Sequence, residues 1–135
     1  MKIIVMTMLL FTCAVVTAQA EKEKPCIAFV AADDNDPYEQ RARDPLRTAV
    51  TFSGDLDFYP AYKASCWRVH VIAAAIKHEN GSHSGFVVCY IITDPAQIFV
   101  DQGLHIGRNE EVFEDAMRKA AAKTIKHIRE MHSQE

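Results

Sequence analysis

The sequence predicts an α+β fold: one small domain whose mixed, mostly antiparallel sheet runs in the order β-α-β-β-β-α, with a long C-terminal amphipathic helix packed on one face. Three observations carry this expectation. The runs "WRVHVIAAAIKH", "SGFVVCYIITD" and "IFVDQGLHIG" follow one another with turn chemistry between them, which reads as an antiparallel meander. A fourth apolar run, "CIAFVAA", stands alone ahead of a helical segment. Residues 110 to 131 carry Val112, Phe113, Ala116, Met117, Ala120, Thr124, Ile128 and Met131 at three- and four-residue spacing, the stripe of a helix with one buried side.

Ahead of this domain, "MKIIVMTMLLFTCAVVTAQA" opens with one lysine, runs apolar to about Val16 and ends in Ala18-Gln19-Ala20. These are the marks of a Sec-type signal peptide cleaved after residue 20, leaving 21–135 as a single domain in the periplasm or outside the cell. The apolar run is shorter than the ~20 residues of a membrane helix, so no membrane span is expected after cleavage. Removing Lys2 with the leader leaves 14 Lys and Arg against 18 Asp and Glu, a net charge of −4. Acids and bases are interspersed, and without a cationic footprint there is nothing to displace counterions from a nucleic acid.

The elements follow in order. The first strand begins at Cys26 and ends in the acidic cluster Asp33-Asp34-Asn35-Asp36. Asp36-Pro37-Tyr38-Glu39 has the pattern of a capping box, with Pro37 suited to the first helical position. Asp44-Pro45 repeats the device, so the helical stretch from 37 to 53 is expected to be interrupted, and "SGDLDFYPAYKAS" is expected to be a loop. Asn80-Gly81 predicts a two-residue type I′ hairpin and Asp94-Pro95 a type I turn. Asn109 is placed to cap the last helix. Its first turns are acidic and its second half basic, as the helix dipole favours.

The Asn-Gly turn assigns faces. It sets His70, Ile72, Ala74 and Ile76 opposite Ile91, Cys89, Val87 and Gly85 on one side of the sheet. Trp67, Val69, Val71 and Ala73 share the other side with Phe86, Val88, Tyr90 and Ile92, and this side is expected to bed the C-terminal helix. The first side is also apolar: Ile72, Ala74, Ile76, Val87, Cys89, Ile91, Val100 and Leu104. Strands apolar on both sides need cover on both sides. The first helical segment and the 54–65 loop are expected to supply it; failing that, the face is a homodimer or partner interface.

Three cysteines remain after the leader is removed. If the first strand runs parallel to the second, Cys26 and Cys66 start at the same end of the sheet and form a disulfide, leaving Cys89 as a free thiol. The same turn sets His78 opposite His83 with Cβ atoms about 5 Å apart, close enough for both to reach one metal ion. His70 lies about 26 Å along the strand and adds no third ligand. Asn80-Gly81-Ser82 also fits a glycosylation acceptor.

The segment "HSGFV" resembles the nucleophile motif of small papain-like peptidases of the bacterial cell wall, in which a cysteine stands where this chain has His83. Without the nucleophile the resemblance implies no activity. "ASCW", around Cys66, is similar to the papain nucleophile segment but has no upstream glutamine. Enzymatic chemistry would require Cys66, Cys89 or Asp101 beside a histidine in a cleft. No Gly-rich phosphate loop, G-x-S-x-G or H-E-x-x-H occurs, and no cofactor is expected. The element order resembles that of small periplasmic domains in lipoprotein activators of cell-wall synthases and in curli secretion proteins. The expected function is that of an exported, non-catalytic protein acting through protein–protein contact; the alternatives are a small-ligand or metal binder and a small envelope hydrolase.

Overall fold

All four apolar runs become strands of one sheet, because each alternates mostly apolar side chains between two surfaces. The computed structural model describes residues 23–135; the expected signal peptide and cleavage site lie outside the described residues. The elements are β1 (Cys26–Ala31), α1 (Pro37–Gln40), α2 (Arg43–Ser53), β2 (Asp57–Tyr59), β3 (Trp67–Lys77), β4 (His83–Thr93), β5 (Phe99–Gly107) and α3 (Glu111–His132). The sheet order is β2-β1-β3-β4-β5. β1 is parallel to both β2 and β3, while β3, β4 and β5 form an antiparallel meander. The α+β class and the single domain are as expected. The short strand β2 within the expected loop is new, and it gives β1 a second neighbour.

The interrupted helix follows its proline signals. The Asp36 carboxylate accepts hydrogen bonds from the N–H groups of Tyr38 (2.7 Å) and Glu39 (3.1 Å). Glu39 does not close the box on Asp36; it is buried and accepts from the Asp33 N–H at 2.7 Å, tying the acidic loop to the helix. α2 ends at Gly54, whose φ of 78° is the left-handed conformation that glycine adopts without a Cβ penalty. α3 starts one residue later than expected, with Glu110 at the N-cap position, and the Asn109 side chain accepts from the Glu111 N–H at 3.1 Å.

α2 and α3 lie side by side on the same face of the sheet. Ile27, Phe29, Val69, Val71, Val88, Tyr90 and Ile92 meet Leu46 and Val50 of α2 and Phe113, Ala116, Met117 and Ile128 of α3 in one core. Burying each large apolar side chain contributes about 1.5–3 kcal/mol, and Ala116 and Ala120 let α3 approach closely. On the outer side of the helix layer, Thr48, Phe52, Ala121, Ala122 and Ile125 line an open groove of about 690 Å³. Phe52 stands at its rim, 93% exposed.

The hairpin at Asn80-Gly81 uses a different turn from the type I′ expected, while the type I turn expected at Asp94-Pro95 forms and is followed by a bulge residue. The Gly81 N–H donates to the His78 carbonyl, and the His78 N–H to Ser82. The Gln97 N–H donates to Asp94, and the Asp94 N–H to Ile98, in the same pattern. The last loop residue is left-handed in both, Gly81 at φ 82° and Gln97 at φ 67°. These are three-residue loops closed by a bulge, not two-residue type I′ turns, in which both central residues would need positive φ. A register shift follows in each case, between Ile76 and Lys77 and between Ile92 and Thr93.

Candidate functional site: the uncovered sheet face

Because α2 joins α3, no helix among the described residues lies on the opposite face of the sheet. The expected cover is thereby corrected: the 54–65 segment reaches only one corner. There Tyr59 packs on Cys26, Ala28 and Cys66, and the Tyr62 ring lies over the Arg68 guanidinium, 5.1 Å from its carbon. Beyond that corner, Ile72, Leu104 and Ile106 are 52, 63 and 68% exposed. Ala74 is exposed as well, while Ile76, Val87, Cys89 and Ile91 are half-buried between these rows. At the β4–β5 end, Ile98 and Phe99 extend the apolar surface.

The register that builds this face agrees with the sequence at Ile76–Gly85, Ala74–Val87, Ile72–Cys89 and His70–Ile91. Cys89 continues to Leu104 and Val87 to Ile106. Val100 departs from the face: the bulge after Ile92 turns it toward the core, where it packs against the helix side. Ile106, which the sequence reading did not assign to the face, is among its most exposed members.

The hairpin bulge also separates the two histidines. His83 pairs with Lys77 rather than His78. Its ring lies 6.3 Å from Tyr38 and 5.6 Å from Phe86, on the helix side. His78 pairs with Ser82 at the exposed tip. Among the described residues, no group of three or more His, Cys, Asp or Glu side chains could hold a metal ion.

Cys26 and Cys66 are joined in a disulfide, so Cys66 offers no thiolate nucleophile. Cys89 is free and half-buried in the middle of the uncovered face. Asp101 does lie beside a histidine, with His127 Nε2 at 3.9 Å and Lys123 Nζ at 3.2 Å. This cluster is at the outer edge of β5, where Lys123 also donates to the Gln102 carbonyl at 2.8 Å. The Gln102 N–H donates to Asp101 at 2.7 Å and is the main cause that holds its carboxyl below the usual range; desolvation opposes it and Lys123 adds to it. The ion cluster therefore satisfies the free backbone groups of an edge strand, the role charges commonly play there.

Polar groups gather at one corner of the face. Arg68 is 1% exposed. Its Nε donates to Thr93 Oγ1 at 3.3 Å, and its Nη2 to the carbonyls of Asp94 and Pro95 at 2.8 and 3.2 Å. His70 Nε2 lies 3.1 Å from the same Thr93 hydroxyl. Burial pushes the His70 imidazole below its ordinary value near 6.5, and Arg68 adds to the shift. On the other face His105, stacked on Tyr90 at 6.0 Å, is also lowered, first by burial and then by Lys119, with Asp115 opposing.

These two histidines set a pH dependence. Their pKa values are lower folded than unfolded, so on acidification the unfolded chain binds the protons first. The stability they contribute is complete above about pH 6.5 and is lost as pH falls through that value and then through the folded ones. The urea midpoint is expected to drop between about pH 7.5 and pH 5, and to drop less in a His70→Gln, His105→Gln chain. An equal drop in both chains would show that the destabilisation arises elsewhere.

No family profile matches the chain, and no curated protein sequence does either. Among solved structures, the fold is similar to that of dodecameric PelC from Paraburkholderia phytofirmans. For a point variant of that protein the TM-score is 0.51 at 10% identity, covering 75% of this chain and 87% of that one. For a second crystal form it is 0.50 at 11% identity, covering 75% and 86%. At this identity the likeness concerns the fold: one mixed sheet backed by helices.

Proposed function

We propose that this is an exported, non-catalytic protein that works through protein–protein contact, that the uncovered sheet face is its contact surface, and that it contacts copies of itself. The observation that carries the reading is the exposed row Ile72, Leu104 and Ile106 on a sheet whose helices, among the described residues, lie on the other side. Fully burying such a side chain is worth about 1.5–3 kcal/mol, and the exposed part of each, half to two thirds, is what contact with another surface recovers. Self-contact is favoured because the similar PelC structures are dodecamers. The disulfide suits an oxidising compartment, in keeping with export.

Three strands, β3, β4 and β5, nine to eleven residues long, present roughly 33 by 15 Å, on the order of 500 Å². A standard interface takes about 800 Å² from each partner, so the sheet face alone falls in the size class of weak, transient contacts. Sedimentation velocity on residues 21–135 is expected to give species larger than a monomer at tens of micromolar. Leu104→Lys places a charge among the exposed apolar side chains of the face, on its β5 side, and is expected to return the chain to monomer with its thermal midpoint nearly unchanged. A wild-type chain that stays monomeric at all concentrations would overturn self-contact.

A further inference from the structure

We infer that Arg68 is a receptor for a carboxylate, delivered by a second copy of the chain docking on the uncovered face, with Tyr62 as its lid. The inference rests on the proposed contact role of that face.

Arg68 is a buried cation without a counter-charge. Among the described residues no carboxylate pairs with it, and its polar partners are a hydroxyl and two carbonyls. Nη1 is buried and makes no hydrogen bond at all. A guanidinium has five N–H donors in a fixed fork, and taking one out of water without an anion is costly, so buried arginines are ordinarily paired. What stands over this one is Tyr62. The ring's negative face is a partial substitute for an anion. Tyr62 is itself 55% exposed and sits in the turn-rich segment between β2 and β3, so it can leave without disturbing the core.

The neighbourhood selects the ligand. One guanidinium nitrogen, Nη1, is left without a partner among the described residues, and His70, which shares the Thr93 hydroxyl with Arg68, is biased towards its neutral form by burial. That supplies one positive charge, which matches a carboxylate; a dianionic phosphate would be left half neutralised. Arg68, His70 and Ile72 follow one another on the same side of β3, so the guanidinium lies at one end of the apolar rows. A carboxylate arriving there on a polypeptide brings apolar side chains onto Ile72 and Leu104. A second copy carries an excess of such groups, 18 acids in the full sequence against 15 bases.

The probe is butyrate, titrated at constant ionic strength against chloride and inorganic phosphate, with the Arg68 Nε–H signal followed by NMR. It is done first in the monomeric Leu104→Lys chain, where the Arg68 site is read apart from association. A saturable shift with butyrate and a weaker one with phosphate are expected, and Tyr62→Ala should tighten butyrate binding about two- to five-fold by removing the competing ring. In the wild-type chain butyrate, but not chloride, should then convert assemblies to monomer. The inference falls if butyrate does not bind in Leu104→Lys, if phosphate binds as well, if Tyr62→Ala has no effect, or if bound butyrate leaves assembly untouched. In each of these cases the contact reading of the face survives. A wild-type chain that never associates overturns that reading instead, and is recognised by its mass alone. Arg68→Met keeps the volume without the charge and should abolish the butyrate shift; should it not fold, the Tyr62→Ala and phosphate arms still decide.

Discussion

Replacing Cys26 and Cys66 together by alanine is expected to lower the stability of the domain by about 4 kcal/mol, the chain-entropy value for a loop of this length. The two cysteines are 40 residues apart and close the whole segment that carries α1, α2 and β2. Both are buried, at the point where β1 and β3 start side by side. On a chain of this size the loss should appear as a fall of roughly 15 °C in the thermal midpoint. Reduction of the wild-type protein should reproduce it. A double variant that melts with the oxidised parent would show that the loop gains nothing from closure. The bond also supports the polar corner, because Tyr59 packs directly on it and Tyr62 follows in the same segment. The variant should therefore loosen the Tyr62 lid before it disturbs the meander.

The second large effect is expected at Gly103. A Cβ there would stand 2.3 Å from the Tyr90 ring carbon and 2.4 Å from its hydroxyl oxygen. Tyr90 is fully buried beneath it, stacked on His105, with the Lys123 ammonium 5.5 Å from the ring centre. The ring is fully buried and would have to shift, so Gly103→Ala should cost about 3 kcal/mol, the upper part of the usual range for overpacking. The urea midpoint measures this directly. Tyr90→Leu in the same chain should recover part of the loss, giving a non-additive cycle. If Gly103→Ala is as stable as the parent, the ring is not held in the position described.

Much of the architecture was legible because alternation and turns act over a few residues. The even spacing from His70 to Ile76, set against Gly85 to Ile91, fixed which side chains share a face. That part of the register is independent of the turn's exact type, since the bulge begins only after Ile76. The bulges themselves were not legible. Gly81 signals a left-handed residue in either turn, and Gln97 at φ 67° carries no sequence mark at all. Their consequences fell on the residues nearest the loops: His78 lost His83, and Val100 turned inward. β2 was missed because a three-residue strand is too short to show a period. The placement of α2 was beyond local reasoning, since its buried residues Leu46 and Val50 would suit either face of the sheet.

Arg68 shows a different limit. Sequence periodicity puts it on the same side as His70 and Ile72, where a charge looks like ordinary solvated polarity. Only the turn carbonyls of Asp94 and Pro95, and Tyr62 from a distant segment, reveal that it is buried. No spacing rule connects residues 62, 68 and 94.

The 93% exposure of Phe52 bears on how many copies an assembly could hold. A contact made by two sheet faces is its own complement and is complete at two copies. Phe52 and its groove lie on the helix layer, the opposite side of the same molecule. A contact that joins this side of one copy to the sheet face of the next leaves both kinds of surface open at the ends. Such a row stops growing only when its rotation brings the last copy back to the first, and the angle between neighbours, not the strength of the contact, then sets the number.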